Sequence, residues 1–298
     1  MIMPNPDDDA FDVELFNQLL SEVAHRQNHA PDPELGGLSP DQVARLIYGD
    51  WLSGDHAVHI ATDLPLAEYE SSPMFRSMRK VLVALCDHGE VKATKGGNFT
   101  RTFVREMIPF MFDDDLGDMV TQLYKAPNEE QVWRLHVSRI VCTGAGLISK
   151  YKGNFRVPKN KQVFLADERA GELCSILFSG YFQKYNLGYS WAIFDKVSTF
   201  QAGIAYTLYR LGQVATDWVL VDDAFARQVL LPVVQDECEK VTEQFSYWNL
   251  EELVHMFLVC SAKAWGLVEC KDDIVRGIKV DHYVRTTPLY HRLLHFQI

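Results

Sequence analysis

The sequence predicts a mainly helical fold with short β-hairpins, in tandem helix-and-hairpin units joined by an aromatic helical block. Three observations carry that reading. An amphipathic helix, a glycine and a short Val/Leu/Ile stretch recur around Gly89, Gly146 and Gly266. Residues 171–249 concentrate aromatic side chains at helical spacing. The 298 residues, 47% hydrophobic and 23% charged, form an ordinary globular composition, long enough for two domains or one large one.

Each element follows from local chemistry. Phe11, Leu15, Phe16, Leu19, Leu20 and Val23 lie at helical spacing and predict a helix over 11–28, before the loop-like run Asn28–Pro33 and the pair Gly36-Gly37. Ser39-Pro40-Asp41-Gln42 is a helix start, because Ser accepts from the N3 amide, Gln42 reaches back and Pro is tolerated at N1. That helix runs to Tyr48, and residues 52–72 read as an acidic connecting segment. Ser72-Pro73 opens a second such helix, whose stripe Phe75, Met78, Val81, Leu82 and Leu85 ends at Gly89. A short strand, Glu90–Thr94, follows. Val132, Leu135, Ile140 and Val141 predict a helix closed by Gly144-Ala145-Gly146, after which Leu147–Ser149 pairs with Phe155–Val157 across a turn at Lys152-Gly153-Asn154. Leu253, Phe257, Leu258 and Ala262 precede Gly266–Cys270, and His282–Thr286 leads through Pro288 into a last helix.

The order helix, Gly, strand, turn, strand, helix is that of a winged-helix module, in which Gly permits a left-handed cap and the strand pair packs beside the helix as the wing. The expectation is therefore three winged-helix-like copies. The first departs from the pattern, because Gly89 to Thr94 leaves no room for two strands. The predicted organisation is an acidic helical region at 1–72, two winged-helix-like units at 73–170, the helical aromatic block at 171–249 and a third unit at 250–298. In the block, Phe178, Tyr181, Phe182, Tyr185, Tyr189, Trp191, Phe194, Phe200, Tyr206 and Tyr209 interleave with aliphatics and read as core rather than as a base-stacking platform.

Two sets of phrases resemble known families. Gly146-Leu147-Ile148 with the basic turn Lys150–Asn154, and Arg285-Thr286-Thr287-Pro288-Leu289, are similar to the helix–wing–helix junctions of MarR-like winged-helix regulators. Leu38-Ser39-Pro40-Asp41-Gln42 and Lys92–Phe99 resemble phrases of the uncharacterised bacterial plasmid ORF-three-like proteins. Some of those carry a SEC-C zinc motif, whose cysteine cluster is absent here, so no metal role carries over. The resemblance implies architecture and no activity.

Charge is uneven along a chain of net −11. Residues 1–72 carry −12, 73–106 carry +4, 107–131 carry −5 and 132–170 carry +6. The basic islands supply the candidate nucleic-acid-binding residues: Arg76, Arg79 and Lys80 on the helix before the first Gly, Lys92 and Lys95 after it, and Lys150, Lys152, Arg156, Lys159 and Lys161 around the second turn. In a winged helix the helix before the wing enters the major groove and the wing meets phosphates, so cations belong in both places. The acidic N-terminal region is expected to compete for these islands.

Other candidates are weaker. His291 and His295 lie four apart on an expected helix, as two zinc ligands would, but only His282 suggests itself as a third. His25/His29, His56/His59 and the run Asp113-Asp114-Asp115 are lesser metal candidates. Gly144-Ala145-Gly146 follows a helix where a dinucleotide loop needs a strand, and Cys86-Asp87-His88 are neighbours that point apart. The six cysteines are never closer than ten residues and read as buried thiols. No catalytic residue, metal or cofactor is assigned. With no apolar run near the ~20 residues of a membrane span and an acidic start, the expectation is a soluble, cytoplasmic, non-enzymatic protein that binds DNA or RNA or acts as a regulator. The alternative is a protein–protein interaction scaffold built from the same units.

Overall fold

Polar punctuation sets the helix boundaries. The computed structural model describes residues 13–53, 56–112, 124–245, 248–275 and 278–298; Phe11 and Asp113–Asp115 lie outside them. Helix α1 spans Val13–His29 and α2 spans Pro40–Tyr48. The α2 capping box forms as its residues dictate: Ser39 Oγ accepts from the Gln42 amide at 3.3 Å and Gln42 Oε1 accepts from the Ser39 amide at 2.8 Å. The segment 52–72 is more than a connection. It contains strand β1, Val58–Ile60, and a one-turn helix α3, Leu66–Tyr69, pinned where the buried Tyr69 hydroxyl donates to the Ala61 carbonyl at 2.9 Å. A three-residue strand has too few positions to show alternation in the sequence.

From Pro73 the chain builds its first unit. Helix α4 (Pro73–His88) ends at Gly89, whose φ of 70° only glycine adopts readily. Then come β2 (Val91–Lys92), α5 (Arg101–Met107), α6 (Trp133–Gly144) and the hairpin β3 (Ser149–Tyr151) and β4 (Asn154–Arg156). Lys152 and Gly153 both have positive φ, 48° and 81°, as a tight primed hairpin turn requires. The sheet order is β2-β4-β3, all antiparallel.

Helix α7 (Ala170–Ser179) continues as a π turn, Gly180–Lys184. After α8 (Ala192–Lys196) and α9 (Thr199–Ala202) a second unit begins: α10 (Ile204–Val214), β5 (Val219–Leu220), α11 (Asp223–Val229), α12 (Pro232–Gln244), and α13 (Leu250–Phe257) with a π turn to Ala262. It closes with β6 (Val268–Val275) and β7 (Ile278–Thr286) in the order β5-β7-β6. Last come α14 (Pro288–Leu293) and β8 (Leu294–Phe296), which pairs with β1.

The chain is thus mainly helical with small antiparallel sheets, as expected, but its repeat differs from the expected one. Gly89, Gly146 and Gly266 each follow a helix and precede a strand, with φ of 70°, 72° and 72°. They fall in two sheet-forming units, each running helix, strand, helices and hairpin, where three were expected. The lone strand after Gly89 is completed by the next hairpin, and β5, inside the expected aromatic block, completes the last hairpin. The physical reason is that a two-stranded hairpin is marginal alone and gains from a third strand. The β5–β7 pairing thus spans the expected boundary between 249 and 250.

The aromatic block is core. Phe178, Tyr181, Phe182, Phe200 and Tyr206 are fully buried, whereas Tyr189 is 62% exposed. Helix α7 lies between the units: Phe178, Tyr181 and Phe182 surround Trp265 at ring-centroid distances of 5.0, 5.7 and 6.0 Å. On its other side a Cβ at Gly180 would sit 3.3 Å from Val141 of α6. The Met74 amide donates to the Ala264 carbonyl at 2.8 Å, tying the first helix of one unit to the segment after α13 of the other.

Candidate nucleic-acid interface

Strand register brings the two basic islands together. Residues directly opposite in an antiparallel pair share a face, so Val91 and Phe155 face inward while Lys92, Asn154, Arg156, Ser149 and Tyr151 share the outer face. Tyr151, 49% exposed, lies between cations: the Arg156 guanidinium is 4.6 Å and Lys152 Nζ 5.3 Å from its ring. Lys150 is opposite Phe155 and so lies on the other face, its Nζ 5.9 Å from the Phe155 ring and 3.6 Å from where a Cβ on Gly97, in the turn that bears Lys95, would lie. Lys92, Lys95, Lys150, Lys152 and Arg156 are all exposed. Among the described residues none of the five forms an ion pair with a carboxylate. Lys159 is exposed just past β4, and half-buried Lys161 lies 5.6 Å from the Phe164 ring.

The cations of α4 are placed differently. Arg79 bonds to Glu70 at 3.1 Å, Asp167 at 2.6 Å and the Leu165 carbonyl at 3.1 Å with its side chain 13% exposed, so it clamps α4 to the 165–167 segment. Arg76 donates to the Glu70 carbonyl at 3.0 Å, and Lys80 is exposed beside Phe110. The helix expected to enter the major groove is largely covered: Leu135, His136, Val137, Ser138, Val141 and Cys142 of α6 are buried. The hairpin, not the helix, is the open surface.

The sequence did not single out the residue that holds this surface in place. Glu129 is wholly buried and accepts from the Phe99 amide (2.5 Å), Arg139 Nε (2.7 Å) and His136 Nδ1 (2.7 Å). Arg139 also donates to Asn98 at 3.1 Å. The network fastens the turn bearing Lys95 to the start of α6. Its local signal was the Asn128/Gln131 capping box, which places Glu129 in the first turn before α6.

The second sheet carries charge in another way. Arg285 pairs with Glu269 at 2.6 Å and stacks 4.6 Å from the Trp218 ring, Lys271 lies 4.8 Å from the same ring, and His282 meets Asp272 at 2.7 Å. The acidic N-terminal region touches this half: the Gly36 carbonyl accepts from Arg210 at 3.0 Å, and Arg45 donates to the Gln297 carbonyl at 3.0 Å.

The expected histidine pair separates. His291 is on α14, 3.0 Å from the Thr286 hydroxyl, but His295 is on β8, opposite His59 of β1. Leu294 ends the helix by pairing with Ile60, so the four-residue spacing never becomes one helical face. Among the described residues no group of three His, Cys, Asp or Glu side chains could hold a metal ion, and no helix is long and apolar enough to cross a membrane. The six cysteines are free thiols, with Cys142, Cys174 and Cys238 buried.

Residues 70–170 match the Y4jL N-terminal domain family, a stretch that includes the first unit from α4 through the hairpin. No curated protein and no solved structure matches the chain.

Proposed function

We propose that the chain is a non-enzymatic, cytoplasmic nucleic-acid-binding protein of regulatory type, in which the first unit acts as a winged helix and grips phosphate backbone through its wing. One observation carries this reading. Among the described residues, five cations from two islands far apart in sequence gather on and beside one sheet without carboxylate partners, in a chain whose net charge is −11. Keeping unneutralised cations together costs repulsion that an exposed anionic ligand relieves. Tyr151, flanked by Arg156 and Lys152, adds an aromatic face and a hydroxyl for sugar or phosphate. Because the helix that would read base edges is covered, binding through the backbone is largely independent of sequence. The likeness of the junctions to those of MarR-like regulators supports the winged-helix architecture in this reading.

Fluorescence anisotropy with mixed-sequence duplex DNA and RNA across a salt series tests it. A Lys92→Ala/Lys150→Ala/Lys152→Ala/Arg156→Ala variant weakens binding, and the log–log salt slope falls by about 0.9 for each B-DNA phosphate that the variant no longer neutralises. An unchanged slope refutes phosphate binding at the wing. No binding by the intact chain at low salt favours the scaffold reading, which draws on the burial of both helices that precede a hairpin.

A further inference from the structure

A pocket of about 380 Å³ opens between α6 and the π turn after α7. Its walls are Ile140, Val141, Tyr185 and Tyr189, and its polar groups are Lys184 and Asn186. The volume falls in the range of small-molecule sites, roughly 300–1,000 Å³, and the apolar walls with a few convergent polar groups match their usual make-up. The π turn departs from regular helix beside this space, as π turns frequently do at functional sites.

The polar groups share one character. Asn186 Oδ1 accepts from the Gly188 amide at 2.8 Å, which fixes the carboxamide so that Nδ2 is its remaining donor. Lys184 is exposed and makes no ion pair among the described residues. Among the described residues no carboxylate lines the pocket. The Tyr185 and Tyr189 hydroxyls are held elsewhere, by Ser190 at 2.5 Å and His136 at 3.2 Å, so their rings stay as walls. An apolar slot with an ammonium and an amide N–H, and with no acid, is complementary to a flat or slender apolar body ending in one negative charge.

We infer that this pocket binds a small apolar monocarboxylate, with the carboxylate on Lys184 and Asn186 and the apolar body between Ile140, Val141 and the two tyrosine rings. The inference needs no nucleic acid and stands or falls separately from the role of the wing.

Isothermal titration of the full chain with 2-naphthoate and its neutral counterpart 2-naphthamide tests it. Naphthoate binds saturably at one site, and naphthamide binds about tenfold more weakly or worse, the cost of losing a charged hydrogen bond. Lys184→Ala brings the two affinities together. Gly144 lines the pocket, and a Cβ there would meet nothing within 4 Å, so Gly144→Leu fills the space and abolishes both bindings with an unchanged melting temperature. Saturable binding of neither compound overturns the proposal, and equal affinities in the parent overturn the carboxylate class. Binding that survives Gly144→Leu in a folded protein places the ligand elsewhere and overturns the site.

Discussion

The two three-stranded sheets share one strand order and hold charge in opposite ways. On the first, Lys92, Lys150, Lys152 and Arg156 are exposed without acidic partners among the described residues; on the second, Arg285 and Lys271 lie against Trp218, and Glu269 pairs with Arg285. The helices before the hairpins differ likewise. Each follows an asparagine that caps the first turn, Asn128 or Asn249, but the next residue is a buried carboxylate in one unit, Glu129, and a buried leucine in the other, Leu250. The second unit is arranged as a packing module would be. The first holds a buried ion in order to fix a turn that carries surface cations. One strand order thus carries paired charge in one sheet and, among the described residues, cations without carboxylate partners in the other.

The largest effect that could break this contrast is at Glu129. Glu129→Ala leaves Arg139, His136 and the Phe99 amide without their shared acceptor, and breaking a buried charged pair costs about 3–5 kcal/mol. Urea unfolding checks this, and a loss below about 1 kcal/mol would remove Glu129 as the anchor of the first unit. A smaller effect is expected at Arg79, whose clamp on Glu70 and Asp167 is only partly exposed. Arg79→Ala should cost about 2 kcal/mol of stability and leave the salt dependence of nucleic-acid binding unchanged. A shallower slope would enlarge the interface to include α4.

The smallest effect lies outside both three-stranded sheets. Burial, and then the neighbouring His59, hold His56 below the ordinary histidine range against the opposing pull of Asp50. The folded state therefore binds its proton less readily than the unfolded chain. Its contribution to stability is full above about pH 6.5 and declines as pH falls through that value towards the lowered folded-state pKa. Unfolding measured from about pH 7 to 5 should be less pH-dependent in His56→Gln. An equal dependence would assign the titration to other groups.

What the sequence displayed was whatever is local. The Ser39/Gln42 and Ser72 starts, the left-handed caps at Gly89, Gly146 and Gly266, the Lys152-Gly153 turn and the aromatic core at 171–249 depend on neighbours within a few residues, and they formed as read. What it concealed was pairing at a distance. Val58–Ile60 and Val219–Leu220 are too short to show alternation, and their partners lie far along the chain, so three apparent units resolve into two only once strands pair. The candidate site was half visible for the same reason. The cations of the hairpin could be named, but register was needed to set Lys92 beside Arg156. Nothing in the spacing of Arg79 distinguished a structural clamp from a ligand-binding cation, and Glu129 sat unremarked in an acidic stretch.

The most direct test of the contrast is a paired salt titration of two variants on the same mixed-sequence duplex: Lys150→Ala/Lys152→Ala/Arg156→Ala on the first sheet, and Lys271→Ala/Arg285→Ala on the second. The account predicts that the first variant's log–log slope becomes shallower by up to about 0.9 per cation removed, while the second keeps the slope of the parent. Equal reductions in the two variants, or a reduction confined to the second, would contradict it.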